Sequence, residues 1–182
     1  MAHIVIVGDG PGGLSSALFL AKNGHSVTVY GQDKTAMNFA LLRNYLGLED
    51  TLGEDFQVKA RKQVTQWGAA IHDEAVSAVG ADENGVSITA DSGTHQADYL
   101  ILSEGKKPEL AASLGLVDED GAVPVDAQNR TRHPRVYVVG RSVRPTRSQA
   151  IISAGDGAKA ALDILARESG QDVQDWDTPP KD

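Results

Sequence analysis

A glycine-rich turn between an apolar segment and an amphipathic segment dominates the start of the chain. Residues 3–7 are mostly apolar, Gly8-Asp9-Gly10-Pro11-Gly12-Gly13 follows, and apolar residues at helical spacing then run from Leu14 towards Gly24. Residues 26–30 alternate between polar and apolar side chains, which is typical of a strand. Parallel strands need a crossover between them, and that crossover is almost always right-handed. The first 30 residues therefore predict a β–α–β unit of a parallel sheet.

The spacing Gly8-x-Gly10-x-x-Gly13 gains chemical meaning from its place between a strand and a helix. The first glycine permits a sharp turn, the second lets the backbone approach a pyrophosphate, and the third permits close packing of helix on sheet. N–H groups at the helix start present a partial positive charge to phosphates. The alternative is a tight turn with no ligand, and we favour the phosphate site.

The acid that usually follows the second strand, where it bonds a ribose hydroxyl, is missing from its expected place. Gly31-Gln32-Asp33 follows Tyr30 instead. Asp33 lies two or three residues late, and Gln32 offers a side chain that could donate or accept a hydrogen bond. The sequence therefore supports a phosphate site more firmly than a ribose site.

The rest of the pattern predicts one α/β domain with a doubly wound parallel sheet and a three-stranded antiparallel insert. We predict a helix or partly helical loop over 35–46, a helix over 54–67, and antiparallel strands over 70–78, 85–90 and 94–97. Buried strands are predicted over 98–102 and 135–139, an irregular segment over 106–128 with a strand at 122–125, and a long amphipathic helix over 149–168. Residues 1–169 are expected to form the dinucleotide-binding domain, and 170–182 a mobile acidic tail.

Composition restricts the chemistry that this chain can perform. Among 182 residues there is no cysteine, so no disulfide, thiolate nucleophile, redox dithiol or cysteine-based metal site can form. The five histidines do not fall at metal-ligand spacing, and we predict no metal site. Any redox chemistry must therefore come from a bound cofactor.

Charge and hydropathy indicate where the protein acts. The net charge of −8, from 25 acidic and 17 basic residues, disfavours nucleic-acid or anionic-membrane partners. No apolar run approaches the roughly 18 residues of a membrane span. Without a basic leader at the N-terminus, we expect a cytoplasmic protein.

Several ordered segments share motifs with one known family. Residues 7–17 match a motif for the FAD diphosphate, and Asn44-Tyr45-Leu46-Gly47 is similar to an Asn-Tyr-Pro-Gly segment near the flavin. Residues 99–105 are similar to a strand ending in Ala-Thr-Gly, residues 136–140 to a strand ending in Gly-Asp, and residues 149–161 to a final helix that begins beside the isoalloxazine. The chain thus resembles the FAD domain of thioredoxin reductase-like, FAD-dependent pyridine nucleotide-disulfide oxidoreductases.

The resemblance implies that FAD is the cofactor, with its diphosphate over Gly10–Gly13 and its flavin towards Asn44 and Gln149. No catalytic side chain is predicted. The candidate cofactor-binding residues are Gly8, Asp9, Gly10, Pro11, Gly12, Gly13, Leu14, Gln32, Asp33, Asn44, Val76, Gly105, Gly140, Arg141, Gln149 and Ala150.

This sequence also departs from the family pattern. The family inserts an NADPH-binding domain carrying a Cys-x-x-Cys pair, whereas here Gly105 runs almost directly into Lys107-Pro108-Glu109. Thioredoxin reductase activity by the dithiol mechanism is therefore excluded. The Gly-Gly-Gln segment that lines the flavin is not recognisable, and Arg141 replaces the aspartate of Gly-Asp. We expect weakened affinity for FAD.

Two functions remain open from the sequence. The first is a small FAD-dependent oxidoreductase or electron carrier, reduced by a separate donor protein or by NAD(P)H. The second is a non-catalytic module that binds another ADP-containing nucleotide or none. By analogy with the family, a homodimer is also expected.

Six arginines near residues 130–147 leave two interpretations. They either form surface ion pairs, each of little energetic value, or face an anionic ligand that guanidinium groups can bind. Arg141 is the best candidate for an anion contact. The members are Arg130, Arg132, Arg135, Arg141, Arg144 and Arg147.

Overall fold

A five-stranded parallel sheet lies at the centre of the fold, which a computed structural model describes for residues 1–179. The elements in chain order are β1 (His3–Val7), α1 (Pro11–Lys22), β2 (Ser26–Tyr30), β3 (Leu41–Leu42), β4 (Thr51–Leu52), α2 (Gly53–Gln66), β5 (Ala70–His72), β6 (Val76–Ala81), β7 (Val86–Ala90), β8 (Gly93–Ala97), β9 (Tyr99–Leu102), α3 (Glu109–Ser113), β10 (Val136–Val138) and α4 (Ala150–Ser169). Short 3₁₀ helices occupy Ala36–Phe39 and Gly140–Ser142. The parallel strands have the order β10–β9–β1–β2–β5.

Strand β1 lies in the middle of this sheet. Val5 pairs with Thr28 of β2 on one side and with Leu100 of β9 on the other, both in parallel register. A parallel strand covered on both faces reads as an almost continuous apolar run, which explains the pattern of residues 3–7. The predicted β–α–β unit is confirmed.

The two faces of the sheet carry different layers. Ile4 and Ile6 face a core cluster built with helices α1 and α4. Val5 and Val7 face a second cluster built with α3 and the antiparallel sheet β6–β7–β8. The predicted class, a parallel-sheet α/β domain with a three-stranded antiparallel insert, is confirmed.

Helices α1 and α4 approach each other closely enough for their backbones to touch. A Cβ atom on Gly157 of α4 would overlap the Gly12 carbonyl oxygen of α1 and lie 3.0 Å from the Ser16 nitrogen. The Ser16 hydroxyl donates to the carbonyl oxygens of Gly12 and Gly157, at 3.0 and 3.1 Å. This contact fixes the start of α4 beside the glycine-rich turn.

Three sequence expectations need correction. The segment 70–78 is not one antiparallel strand: Ala70–His72 joins the parallel sheet as β5, and the chain then turns into β6. The strand expected at 122–125 does not form. The Val123 nitrogen donates to the Ser142 carbonyl oxygen at 2.9 Å, but the Ala122 carbonyl oxygen accepts from the nearby Asp118 nitrogen, at 2.8 Å, instead of continuing a ladder with a neighbouring strand. The segment 106–128, expected to be irregular apart from that strand, contains the short helix α3. The expectation of a helix or partly helical loop over 35–46 agrees with the 3₁₀ helix at Ala36–Phe39, which is followed by β3.

The residues after α4 make contacts with the domain as far as they are described. Lys22 forms ion pairs with Asp175, at 3.0 Å, and with Asp177, and Val173 packs against the core cluster of α1 and α4. Positions 180–182 of the predicted tail lie outside the described residues. Within residues 1–179, no helix is long and apolar enough to cross a membrane.

Candidate functional site

A cleft of about 700 Å³ opens at the carboxyl ends of the central parallel strands. It extends from the residues after β2, across the glycine-rich turn, to the residues after β9 and the start of α4. Ligands of open α/β sheets bind at this edge, and the volume is within the usual range for ligand pockets, about 300–1,000 Å³.

The cleft gathers most of the residues that the sequence singled out. The predicted residues that line it are Gly8, Asp9, Gly10, Pro11, Gly12, Gln32, Asn44, Val76, Gly105, Gly140, Arg141, Gln149 and Ala150. Gly13, Leu14 and Asp33 do not line it. Gly13 packs against the Gly8 carbonyl group, Leu14 is buried in the core, and Asp33 is exposed outside the cleft. Their role in cofactor binding stays a prediction.

Gly10 is the glycine whose identity the fold itself does not explain. Its φ of −73° suits any residue, and an added Cβ would meet only the Thr35 hydroxyl, at 3.3 Å. Gly8, by contrast, has a φ of +100° and lies against the Ser103 carbonyl group. A side chain at residue 10 would occupy cleft space, so the glycine there keeps the backbone accessible to a ligand.

Two helices begin at the cleft, and in both the first backbone N–H groups donate no hydrogen bond to a capping side chain. Gly10 and Gln149 precede α1 and α4, neither provides a capping hydrogen bond, and neither helix has an acid in its first turn. Free N–H groups and the helix dipole favour an anion at such ends. The arrangement suits a diphosphate lying between the two helix starts.

Asn44 and Gln149, which the sequence expects near a flavin, lie together. The Asn44 amide nitrogen donates to the Gln149 amide oxygen at 3.0 Å. Since 105 residues separate them in sequence, their contact closes one end of the cleft from two distant elements.

Basic side chains stand at the rim of the cleft in an otherwise acidic chain. Lys34, Lys106 and Arg141 all line the cleft and are exposed. Among the described residues, none of the three forms an ion pair, so their charges are available to an anionic ligand.

The other arginines of the 130–147 region act mainly within the protein. Four are engaged there: Arg130 with Asp126, Arg144 with Asp156, Arg132 with the Gly115 carbonyl oxygen and Arg135 with the Asp98 carbonyl oxygen. Arg147 is exposed and does not line the cleft. Of these six arginines, Arg141 is the one that lines the cleft and can face an anionic ligand there.

Asp9 is nearly buried and belongs to a network that the sequence did not predict. Its Oδ2 atom accepts from the Asp33 backbone nitrogen at 3.1 Å and from Arg61 of α2. Arg61 also donates to Asp73 at 2.5 Å, and Gln57 donates to the Asp9 carbonyl oxygen at 2.6 Å. The polar Gln57 and Arg61 in a mostly exposed helix gave no sequence signal, because solvent-facing residues are commonly polar too.

Glu104 is a further cleft residue that sequence reasoning missed. It follows β9 and accepts hydrogen bonds from the Leu110 and Ala111 backbone nitrogens, at 2.7 and 3.0 Å. Burial raises the pKa of the Glu104 carboxyl, and these two N–H donors only partly oppose that rise. Its carboxyl thus holds the start of α3 in place beside the cleft.

Comparisons with known proteins agree on one family. The family model described as pyridine nucleotide-disulphide oxidoreductase matches residues 2–50 and 45–157. A thioredoxin reductase from Streptomyces coelicolor is 29% identical over 124 residues, which are 65% of this chain and 38% of that protein. A ferredoxin–NADP reductase from Levilactobacillus brevis is 29% identical over 174 residues, which are 88% of this chain and 48% of that protein. The chain spans less than half the length of these relatives.

Solved structures show the same fold at low sequence identity. A thioredoxin reductase from Gloeobacter violaceus superposes with a TM-score of 0.86 at 16% identity, covering 98% of this chain and 99% of that one. A ferredoxin-flavin thioredoxin reductase from Clostridium acetobutylicum gives a TM-score of 0.80 at 18% identity, covering 93% and 99%. The fold is therefore thioredoxin reductase-like.

Proposed function

Since the chain belongs to the pyridine nucleotide-disulphide oxidoreductase family, we propose that it is a small flavoprotein that binds FAD in the cleft and transfers electrons without dithiol chemistry. The observation that carries this proposal is the shape of the cleft. It joins an accessible glycine turn, two uncapped helix starts and the Asn44–Gln149 pair in one continuous space.

The described residues fit such a cofactor. Gly10 leaves room for a diphosphate, and the N–H groups at the start of α1 would donate to its oxygens. Asn44 and Gln149 offer amide donors and acceptors at the other end. Bound FAD would supply the redox chemistry, while the chain binds and orients it.

Electrons cannot reach the cofactor through a dithiol of this chain, because the chain contains no cysteine. A separate donor protein or NAD(P)H would reduce the cofactor. A homodimer would be consistent with the family resemblance, and light scattering at high concentration tests it: a monomer there would rule it out.

The test is an absorbance spectrum combined with ligand-dependent melting. Purified protein incubated with excess FAD should retain flavin absorbance after gel filtration. A ligand at 100 times its dissociation constant adds about 2.7 kcal/mol, which for a domain of this size raises Tm by about 5–11 °C. A protein that stays colourless and unshifted with FAD would contradict the proposal.

Gly10→Ala provides a matched variant for the same experiment. The added methyl group should weaken FAD binding while leaving the Tm of the ligand-free protein within a few degrees, since only the Thr35 hydroxyl lies near it. Gly155→Ala, on an exposed part of α4 with no atom within 4 Å of its added Cβ, should leave FAD binding unchanged.

Arg141 favours a second candidate, a non-catalytic module for another ADP-containing nucleotide. A guanidinium at the rim can pair with phosphates but cannot accept the hydrogen bonds that an acid accepts there. Equal Tm shifts from ADP and FAD would support this candidate, because the flavin half would then contribute nothing to binding.

A further inference from the structure

The side chain of Asp9 occupies the space beside Gly31, directly after the end of β2. A Cβ atom built on Gly31 would lie 2.7 Å from Oδ1 of Asp9 and 2.5 Å from its Cβ. The side chain of Asp9, which starts in the glycine-rich turn, therefore fills the position in which a side chain of residue 31 would begin.

Backbone conformation does not explain the glycine at residue 31. Gly31 is not among the glycines with a positive φ, so an L side chain could adopt its backbone angles. What excludes a side chain is the carboxyl group of Asp9. The carboxylate at residue 9 and the missing side chain at residue 31 are therefore linked, since the first occupies the space that the second would need.

The surroundings of Asp9 hold its carboxylate in one orientation. Oδ2 accepts from the Asp33 backbone nitrogen at 3.1 Å and from Arg61. Within residues 1–179, both hydrogen bonds to this carboxylate end on Oδ2. Oδ1 accepts none from these residues, and it is not fully buried. Because Asp9 lines the cleft, Oδ1 can accept a hydrogen bond from a ligand there.

Arg61 also reduces the repulsion between the Asp9 carboxylate and a bound diphosphate. A lone carboxylate beside a diphosphate would repel it, but Arg61 is a permanent cation paired directly with Asp9. Arg61 itself is anchored by Asp73 at 2.5 Å. The buried Asp9 carboxylate is therefore neutralised by its partner, and the remaining negative charge of this group belongs to Asp73, whose side chain is mostly exposed to solvent.

The other two acceptors near the end of β2 are less suited. The carboxylate of Asp33 is exposed, lies outside the cleft and accepts from the Asn38 side chain at 3.3 Å. Gln32 lines the cleft but carries no charge, and its amide oxygen already accepts from Lys34 at 3.2 Å.

We propose that Asp9, positioned by Arg61, binds the ribose hydroxyl of an ADP-containing nucleotide in place of the acid that this chain lacks after β2. The ligand class is a nucleotide with a free 2′-hydroxyl, because that hydroxyl can donate to Oδ1 of Asp9, whereas a 2′-phosphate offers only acceptor oxygens and has no proton to donate. This inference rests on the proposed nucleotide-binding function.

The test compares the affinities of ADP and 2′-deoxy-ADP by calorimetry. For the unmodified protein, a charge-assisted hydrogen bond predicts that ADP binds about 10- to 150-fold more tightly. In Asp9→Gly the ratio should fall towards one. In Asp9→Gly with Gly31→Glu, the carboxylate returns from the end of β2 and the preference for ADP should be restored.

The outcomes separate this inference from the function on which it rests. If the unmodified protein binds ADP and 2′-deoxy-ADP within twofold of each other, or if Asp9→Gly keeps the full ratio, the role of Asp9 is overturned while nucleotide binding stands. If neither ADP nor FAD binds, both are overturned. A ratio within twofold in the unmodified protein overturns the role of Asp9 even if a variant does not fold. Gly31→Glu alone should melt at a lower temperature, since its side chain collides with Asp9.

Discussion

A guanidinium at residue 141 changes what the rim of the cleft offers to a cofactor. A carboxylate there would accept hydrogen bonds, whereas Arg141 can only donate them. Arg141 is exposed, forms no ion pair within residues 1–179, and lies beside Gly140 in the 3₁₀ helix that follows β10. Its effect on FAD is therefore open to direct measurement.

We predict that Arg141→Asp tightens FAD binding at least severalfold. Losing one charge-assisted hydrogen bond costs about 1.5–3 kcal/mol, and the variant regains it. FAD titrations at fixed salt measure the change. Arg147→Asp is the matched control, since Arg147 is an exposed arginine nearby that does not line the cleft. Unchanged or weaker binding in Arg141→Asp would show that Arg141 itself contacts the ligand or lies apart from it.

Glu104 should make stability depend on pH. Burial raises the pKa of its carboxyl in the folded protein, so folding favours the protonated form. That stabilisation is complete below the ordinary glutamate pKa, about 4.3, and is lost as pH rises through the raised value. The Tm of Glu104→Gln, which stays neutral, should therefore improve relative to the unmodified protein as the pH rises from about 4.3 through the raised pKa of Glu104.

Melting curves of both proteins across that interval test the sign. The exposed glutamate Glu119, changed to glutamine, provides the control and should give a difference that varies little with pH. A relative Tm of Glu104→Gln that falls with rising pH would show that the two N–H donors outweigh burial.

At the scale of elements, the contact between α1 and α4 sets the geometry of the site. We predict that Gly157→Ala destabilises the protein by about 1–3 kcal/mol, because the added methyl group overlaps the Gly12 carbonyl group. Gly155→Ala in the same helix should instead stabilise by about 0.5–1 kcal/mol, through helix propensity alone. Urea unfolding measures both. Equal effects would contradict the packing argument.

Sequence patterns located the elements that have strong periodicity and missed those set by distant contacts. Residues 3–7 and 26–30 were predicted correctly, because strands buried on both faces or alternating in polarity are visible locally. Residues 73–75 leave the strand conformation but contain neither glycine nor proline, so no local signal reveals that β5 and β6 belong to different sheets. Helix α3 has five residues, too few for a period, and depends on Glu104 earlier in the chain.

The site shows the same division. The glycine turn and the start of α4 were identified because backbone geometry constrains their residue types. The partnership of Asp9 with Arg61 and Gly31 was not, since 52 residues separate Asp9 from Arg61 and only the folded chain brings them together.

For the whole molecule, the division into a domain of residues 1–169 and a tail of 170–182 stays a prediction. We expect that truncation after Gly170 leaves a cooperatively folded domain. The partly buried Val173 contributes about 1 kcal/mol, so Tm should fall by about 2–4 °C. Differential scanning calorimetry measures this, and FAD affinity serves as the control. Loss of a cooperative transition would show that the tail belongs to the domain.

The central position of β1 also determines which parts of the protein open locally and exchange their amide hydrogens. Ile4, Val5 and Ile6 are fully buried, and β1 is hydrogen-bonded along both edges, so its amide hydrogens should exchange with deuterium only upon global unfolding. The glycine-rich turn continues directly from this strand, and the Gly8 nitrogen donates to the Tyr30 carbonyl oxygen at 2.8 Å. A nucleotide would meet a turn that is already ordered, and slower exchange upon binding should therefore concentrate in the irregular residues 32–40 along the rim.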